Sequence, residues 1–139
     1  MKTKLLGDTL AIRLEIGDDV VESVICACRE NNILCGTVSG IGACNYAKIG
    51  VFYPKTKAYE EIEFEGDMEI CSLLGNMTEK EGDPYLHLHV TLSSHDGSVV
   101  GGHLKAATVS ATGEIFVRKL TGAMGRKICD ITGLNIFDI

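Results

Sequence analysis

Three of the four histidines stand close together, as His87-Leu88-His89 and Gly101-Gly102-His103, on either side of a stretch that reads as a β-hairpin. Neutral imidazole is the commonest protein ligand for a borderline divalent metal, so three rings brought to one point make a triad with open coordination positions. Zinc is the first choice for such a set, because it accepts three protein nitrogens and keeps a position for water. An open site of this kind suits ligand binding or catalysis better than a purely structural ion. The competing reading is a group of part-buried histidines bonded to nearby backbone.

Whether the rings converge depends on strand geometry. Residues two apart on a strand share a face at a spacing of about 6.6 Å, so His87 and His89 point one way while Leu88 and Val90 point the other. The position of His103 depends on the hairpin register. A two-residue turn on Asp96-Gly97 sets His103 opposite Val90, with its ring on the wrong face, whereas a three-residue loop His95-Asp96-Gly97 pairs 94 with 98 and sets His103 opposite His89. Gly97 favours the second register, because such loops commonly end in a residue at positive φ. Gly101-Gly102 complicates this, since a bulge there shifts the register by one; its simplest functional reading is close approach of backbone or ligand.

Metal-bound imidazoles usually donate their other N–H to a carboxylate or carbonyl, and Glu69, Asn76 and Glu114 are candidates for that supporting role. Glu69 and Glu114 stand among apolar neighbours and need partners, so each could equally hold a hydrogen-bond network in the core or at a subunit contact. Arg13, isolated in an apolar strand, carries the same ambiguity. His95 falls at the loop tip and reads as solvated. Six cysteines without Cys-x-x-Cys spacing read as mostly reduced core residues of a cytoplasmic protein. In Cys26-x-Cys28 the two thiols of a helix point to different sides.

The elements that must position these groups are mostly strands. Residues 10–16 alternate apolar with small or charged side chains and end at Gly17. A helix follows: Asp19 and Glu22 form an N-cap and capping-box pattern, and Val20, Val21, Val24, Ile25 and Cys28 recur at helical spacing up to Asn31-Asn32. Short runs at 33–38, 46–53, 58–65, 68–74, 86–93, 99–109 and 113–120 then read as strands separated by glycines. Glu61, Glu63 and Glu65 alternate with Ile62 and Phe64, which marks a strand with one wet face. Glu79 to Pro84 reads as a mobile loop able to cover a site. The pattern predicts one α+β domain over residues 1–139, mostly antiparallel sheet with one main helix packed on it.

Composition excludes several classes. With 139 residues, 45% hydrophobic and 23% charged, the chain can bury a core, and it has no long uncharged apolar run, so a membrane partner is not expected. The N-terminus lacks the apolar stretch of a secretory signal. Nineteen acidic against thirteen basic residues give a net charge of −6, the wrong sign for tracking a phosphate backbone by overall field. The nearest approach to a basic cluster is Arg118-Lys119 with Arg126-Lys127, and a solvated surface is its expected role.

The ordered set Gly40-Ile41-Gly42-Ala43, Gly66-Asp67-Met68-Glu69-Ile70, Leu73-Leu74-Gly75-Asn76, His87-Leu88-His89, Asp96-Gly97, Gly101-Gly102-His103-Leu104 and Glu114-Ile115 resembles the plants-and-prokaryotes-conserved (PPC) domain family. The resemblance covers about residues 10–120, and its specific part is the paired His-Leu-His and Gly-Gly-His-Leu motifs. It implies an α+β fold around a central antiparallel sheet, a homotrimer, and a metal-capable cluster of His87, His89 and His103. It also implies a provisional DNA-binding label. Plant members join the domain to separate Arg-Gly-Arg-Pro hooks that enter the minor groove; this chain has no such segment.

Three readings stay open at this stage. The first is a stand-alone regulatory homotrimer that binds a divalent metal and contacts DNA or protein. The second is a small metal-dependent enzyme acting on a small molecule, with Glu69 or Glu114 as proton acceptor. The third is a packing module whose histidines never meet a metal.

Overall fold

The structure is a computed structural model that describes residues 1–139. It comprises β1 (Lys2–Leu6), β2 (Thr9–Leu14), α1 (Val20–Glu30), β3 (Gly36–Tyr53), β4 (Ala58–Lys80), β5 (Asp83–Ser94), β6 (Val99–Lys119), β7 (Arg126–Ile128) and β8 (Asn135–Phe137). One helix on a mostly antiparallel sheet is the α+β architecture that the sequence pattern predicts. No helix is long and apolar enough to cross a membrane.

The main sheet runs β1-β2-β6-β3-β4-β5, and β5 also pairs back onto β6. The long strands β3, β4, β5 and β6 therefore close into a ring, with β1 and β2 extending from one side of it. Helix α1 starts where Asp19 accepts a hydrogen bond from the backbone N–H of Glu22 at 2.9 Å, satisfying one of the donors a helix start leaves free. Val20, Val24, Ala27 and Cys28, spaced to share one helix face, are its buried residues. That face joins Leu10, Ile12 and Leu14 of β2, Leu88, Val90 and Leu92 of β5, and Leu104, Val109, Ile115 and Val117 of β6 in a single core. Each fully buried Leu, Ile or Val side chain contributes about 1.5–3 kcal/mol.

The strand runs read separately in the sequence fuse into long strands. Runs 33–38 and 46–53 fall on one path in β3 from Gly36 onward, 58–65 and 68–74 in β4, and 99–109 and 113–120 in β6. The interruptions are shifts in register, at Gly40/Gly42 and Cys44/Tyr46 in β3, between Glu65 and Met68 in β4 and between Val109 and Gly113 in β6, where pairing continues across an irregularity. The expected loop at 79–84 is instead a two-residue turn, with Lys80 paired to Asp83 and both Glu81 (φ 57°) and Gly82 (φ 87°) in the left-handed region. It covers nothing. β2 realises the strand read at 10–16, ending at Leu14, whereas β1 and the small β7–β8 hairpin have no counterpart in the sequence pattern.

Leu88 is 2% exposed and sits between two of the histidines. Leu88→Ala is expected to cost about 2–5 kcal/mol, measured by urea unfolding, because the ring cannot collapse around the void.

Candidate metal centre and its cleft

Burial of Leu88, Val90 and Leu92 on the core side turns His87 and His89 to the outer face of β5. The β5–β6 turn then decides the third ring. Ser94 N–H donates to Ser98 O at 2.9 Å, Gly97 N–H donates to Ser94 O at 2.9 Å, and Gly97 adopts φ 80°. This is the three-residue loop, and it sets His103 opposite His89. Pairing runs without a shift through Gly101 and Gly102. On its other side His103 pairs with Gly50 of β3, so it lies where the ring closes. Glycine is required here by close approach: a Cβ on Gly102 would lie 2.9 Å from the Gly50 carbonyl oxygen, and one on Gly75 would collide with the carbonyl of His87.

The three imidazoles form a nearly equilateral set, with centroids 5.3 Å (87–89), 5.0 Å (87–103) and 5.7 Å (89–103) apart. One ligand atom from each lies within 4.8 Å of the others. Tetrahedral zinc with Zn–N near 2.0–2.1 Å needs nitrogens about 3.3 Å apart, a contraction that small side-chain rotations supply. None of the three rings makes a hydrogen bond to a protein group, and His103 Nδ1 is buried without any partner. Burial pushes the His103 imidazole down to about 4, aided by His87 and Lys105. Burial, His89 and Arg126 push His87 in the same direction. The buried rings are therefore neutral at pH 7, with lone pairs free to ligate, and the donor set fits a divalent metal.

His87 and His103 line a cleft of about 580 Å³ whose further walls come from β4, β6 and the C-terminal hairpin, while His89 faces away from it. Tyr59 packs on His103 with centroids 5.1 Å apart, and Lys105 Nζ lies 4.5 Å over the Tyr59 ring. Arg126 reaches in from β7, its guanidinium 4.9 Å from the Tyr85 centroid and 4.6 Å from that of Phe137. Its Nη2 donates to Asn76 Oδ1 at 2.6 Å and its Nε to Thr78 Oγ1 at 2.8 Å. Tyr59, Tyr85, Lys105, Arg126 and Phe137 were not singled out as site residues in the sequence. Arg126 counted there only as half of a basic pair.

Of the proposed supporting residues, Asn76 is paired opposite His87 and lines the cleft. Glu69 and Glu114 line a separate groove with Ile41, Cys71 and Ser93. Arg13 lies opposite Glu114 and bonds Glu15 Oε1 at 3.1 Å. His95 is exposed at the hairpin tip. The four cations of the basic cluster disperse: Arg118 pairs with Asp8 at 3.5 Å, Lys119 donates to Asn32 O, Lys127 pairs with Asp138 at 3.0 Å, and Arg126 enters the cleft. All six cysteines are unpaired, and burial raises the Cys28 and Cys44 thiols to about 12 and about 11, which makes them inert.

The Plants and Prokaryotes Conserved (PCC) domain matches residues 1–121. Among solved structures, a Bacteroides thetaiotaomicron protein provisionally described as DNA-binding is 34% identical, with TM-score 0.95, covering 99% of this chain and 96% of its own. A metal-containing protein from Archaeoglobus fulgidus is 34% identical, with TM-score 0.87 and coverage of 96% and 94%. A plant- and prokaryote-conserved protein from Pyrococcus horikoshii is 33% identical, with TM-score 0.90 and coverage of 99% and 95%. No curated protein matches the chain.

Both imidazole shifts are downward, so between about pH 4 and 6.5 the folded, metal-free protein binds fewer protons than the unfolded chain. Stability is whole above the ordinary imidazole value and falls as pH drops through that window. For His103 the loss is at most about 3 kcal/mol, less for the partial exposure of the ring. Urea midpoints of the metal-free protein are expected to fall between pH 7 and about pH 4.5, and His103→Gln to flatten that slope.

Proposed function

The chain belongs to the Plants and Prokaryotes Conserved domain family, and on that premise we propose that it is a metal-dependent regulatory protein. It acts as a homotrimer in which each triad of His87, His89 and His103 holds one divalent ion, zinc before others, beside the cleft. The observation that carries this reading is three imidazoles with ligand atoms within 4.8 Å and no hydrogen-bond partner in the protein. Structural histidines bonded to backbone, the competing account, would use those nitrogens. A bound ion would polarise an oxygen donor or acidify a coordinated water. The A. fulgidus relative, described as metal-containing, lends support.

Binding is favoured over catalysis by the composition of the cleft. No carboxylate lines it, and Glu69 and Glu114, the sequence's candidate proton acceptors, lie along another groove. Self-association is supported by Ile41, Leu74 and Phe116, which are 59%, 58% and 50% exposed, large apolar side chains left uncovered on one chain. Six unpaired cysteines suit the reducing cytoplasm.

DNA contact is the second reading, and what favours it is the provisional description of the B. thetaiotaomicron relative. Against it stand a net charge of −6 and basic side chains that are paired locally.

Native mass spectrometry of protein purified without a histidine tag is expected to give a trimer carrying one zinc per chain. His103→Ala should keep the trimer and lose the metal. A wild-type protein that stays metal-free after dialysis against zinc sinks the metal reading. In fluorescence anisotropy with duplex DNA at low salt we expect no measurable binding; the DNA reading instead requires affinity that falls with salt by a slope of about 0.9 per phosphate contacted.

A further inference from the structure

Three of the four arginines meet a carboxylate: Arg13 with Glu15 at 3.1 Å, Arg29 with Asp83 at 3.4 Å, and Arg118 with Asp8 at 3.5 Å. Arg126 meets none. Its Nε, Nη1 and Nη2 donate to Thr78 Oγ1, Asn135 O and Asn76 Oδ1, all uncharged, at 2.8, 3.2 and 2.6 Å. Tyr85 and Phe137 flank its plane, so the guanidinium is oriented and part-buried, yet has no counter-charge. Two of its five N–H donors remain unspent. Lys105 Nζ, also bordering the cleft, has one loose ion-pair partner, Glu61 at 4.0 Å. In a chain with nineteen acidic residues, none lines this cleft. An oriented guanidinium with no counter-charge makes a preorganised anion site, and the planar fork of arginine matches a carboxylate in particular.

We propose that the cleft binds a small organic carboxylate, its head held between the triad's metal and the Arg126 and Lys105 cations, its apolar body against Tyr59, Tyr85 and Phe137. The inference deepens the metal reading and rests on it for one of the two anchors. A concave site of 580 Å³ with aromatic walls suits a small molecule better than a polymer backbone. Arg126 and Phe137 lie beyond residue 121, where the family domain match ends, and Tyr59, Tyr85 and Lys105 lie within it, so the C-terminal hairpin and the matched domain build this cleft together.

The test is calorimetric titration of zinc-loaded and zinc-free protein with benzoate and with benzamide, its uncharged counterpart, with zinc content measured on the same samples. Benzoate should saturate the zinc-loaded protein and benzamide should bind at least about tenfold more weakly, as expected for loss of a charge-assisted contact. Lys105→Gln, a change at an exposed side chain, should weaken benzoate by about tenfold without altering zinc content, and Arg126→Lys should do the same. Equal affinity for the two probes, or no saturation by benzoate, overturns the proposal while leaving zinc binding intact. Discrimination between the probes in a protein that takes up no zinc keeps the anion site and removes the metal. Displacement of benzoate by a short DNA duplex overturns the small-acid assignment in favour of phosphate.

Discussion

The pairing of β5 back onto β6 is the constraint on which the rest of the molecule depends. It closes the ring, and its register sets His89 against His103. Because successive side chains alternate between faces, the register that buries Leu88, Val90 and Leu104 is the one that turns His87, His89 and His103 outward. A slip of one residue would bury an imidazole and expose Leu104, at a cost of several kcal/mol. The convergence of the triad is therefore held by the hydrophobic core beneath it, with no hydrogen bonds to the rings required. Gly101, where a Cβ would lie 2.8 Å from the Val90 carbonyl oxygen, lets β6 approach β5 closely enough for that closure.

Electrostatics explains why such a site needs something from outside the chain. Three imidazoles share a corner with Arg126 and Lys105, and the mutual repulsion, added to burial, keeps His87 and His103 neutral. Neutral rings are good ligands, but a divalent ion placed beside two cations raises the local positive charge further. Metalloproteins usually offset this with carboxylates among or behind the ligands. Here Glu69 and Glu114 lie elsewhere and Asn76, the polar neighbour of His87, spends its oxygen on Arg126. Glu61, 4.0 Å from Lys105, offsets part of this charge, and a bound anion supplies the rest.

Helix α1 was legible in the sequence because its signals are local: an N-cap at Asp19, Glu22 three residues on, and an apolar face at helical spacing. The histidine register was legible for a similar reason, since Gly97 decides between two loop lengths. What escaped was set by tertiary structure. Glycines at 40 and 42 read as strand ends, yet ring curvature turns them into bends within one strand. Glu69 and Asn76 looked equivalent as supports, but seven residues of strand separate them by about 23 Å, and only Asn76 reaches the site. Arg126 had no local signal at all; its bonds to Asn76 and Thr78 span 50 and 48 residues.

The position of Arg126 also suggests how function is divided along the chain. The triad lies within residues 1–121, inside the matched domain, and its geometry follows from sheet closure. The wall facing it draws on both β4 and the C-terminal segment. Glu79 N–H donates to Met124 O at 3.0 Å and Arg126 bonds two side chains of β4, so the C-terminal segment docks on the strand that runs beside the histidines. A short hairpin of two three-residue strands has little stability alone, and these contacts with β4 fix it in place.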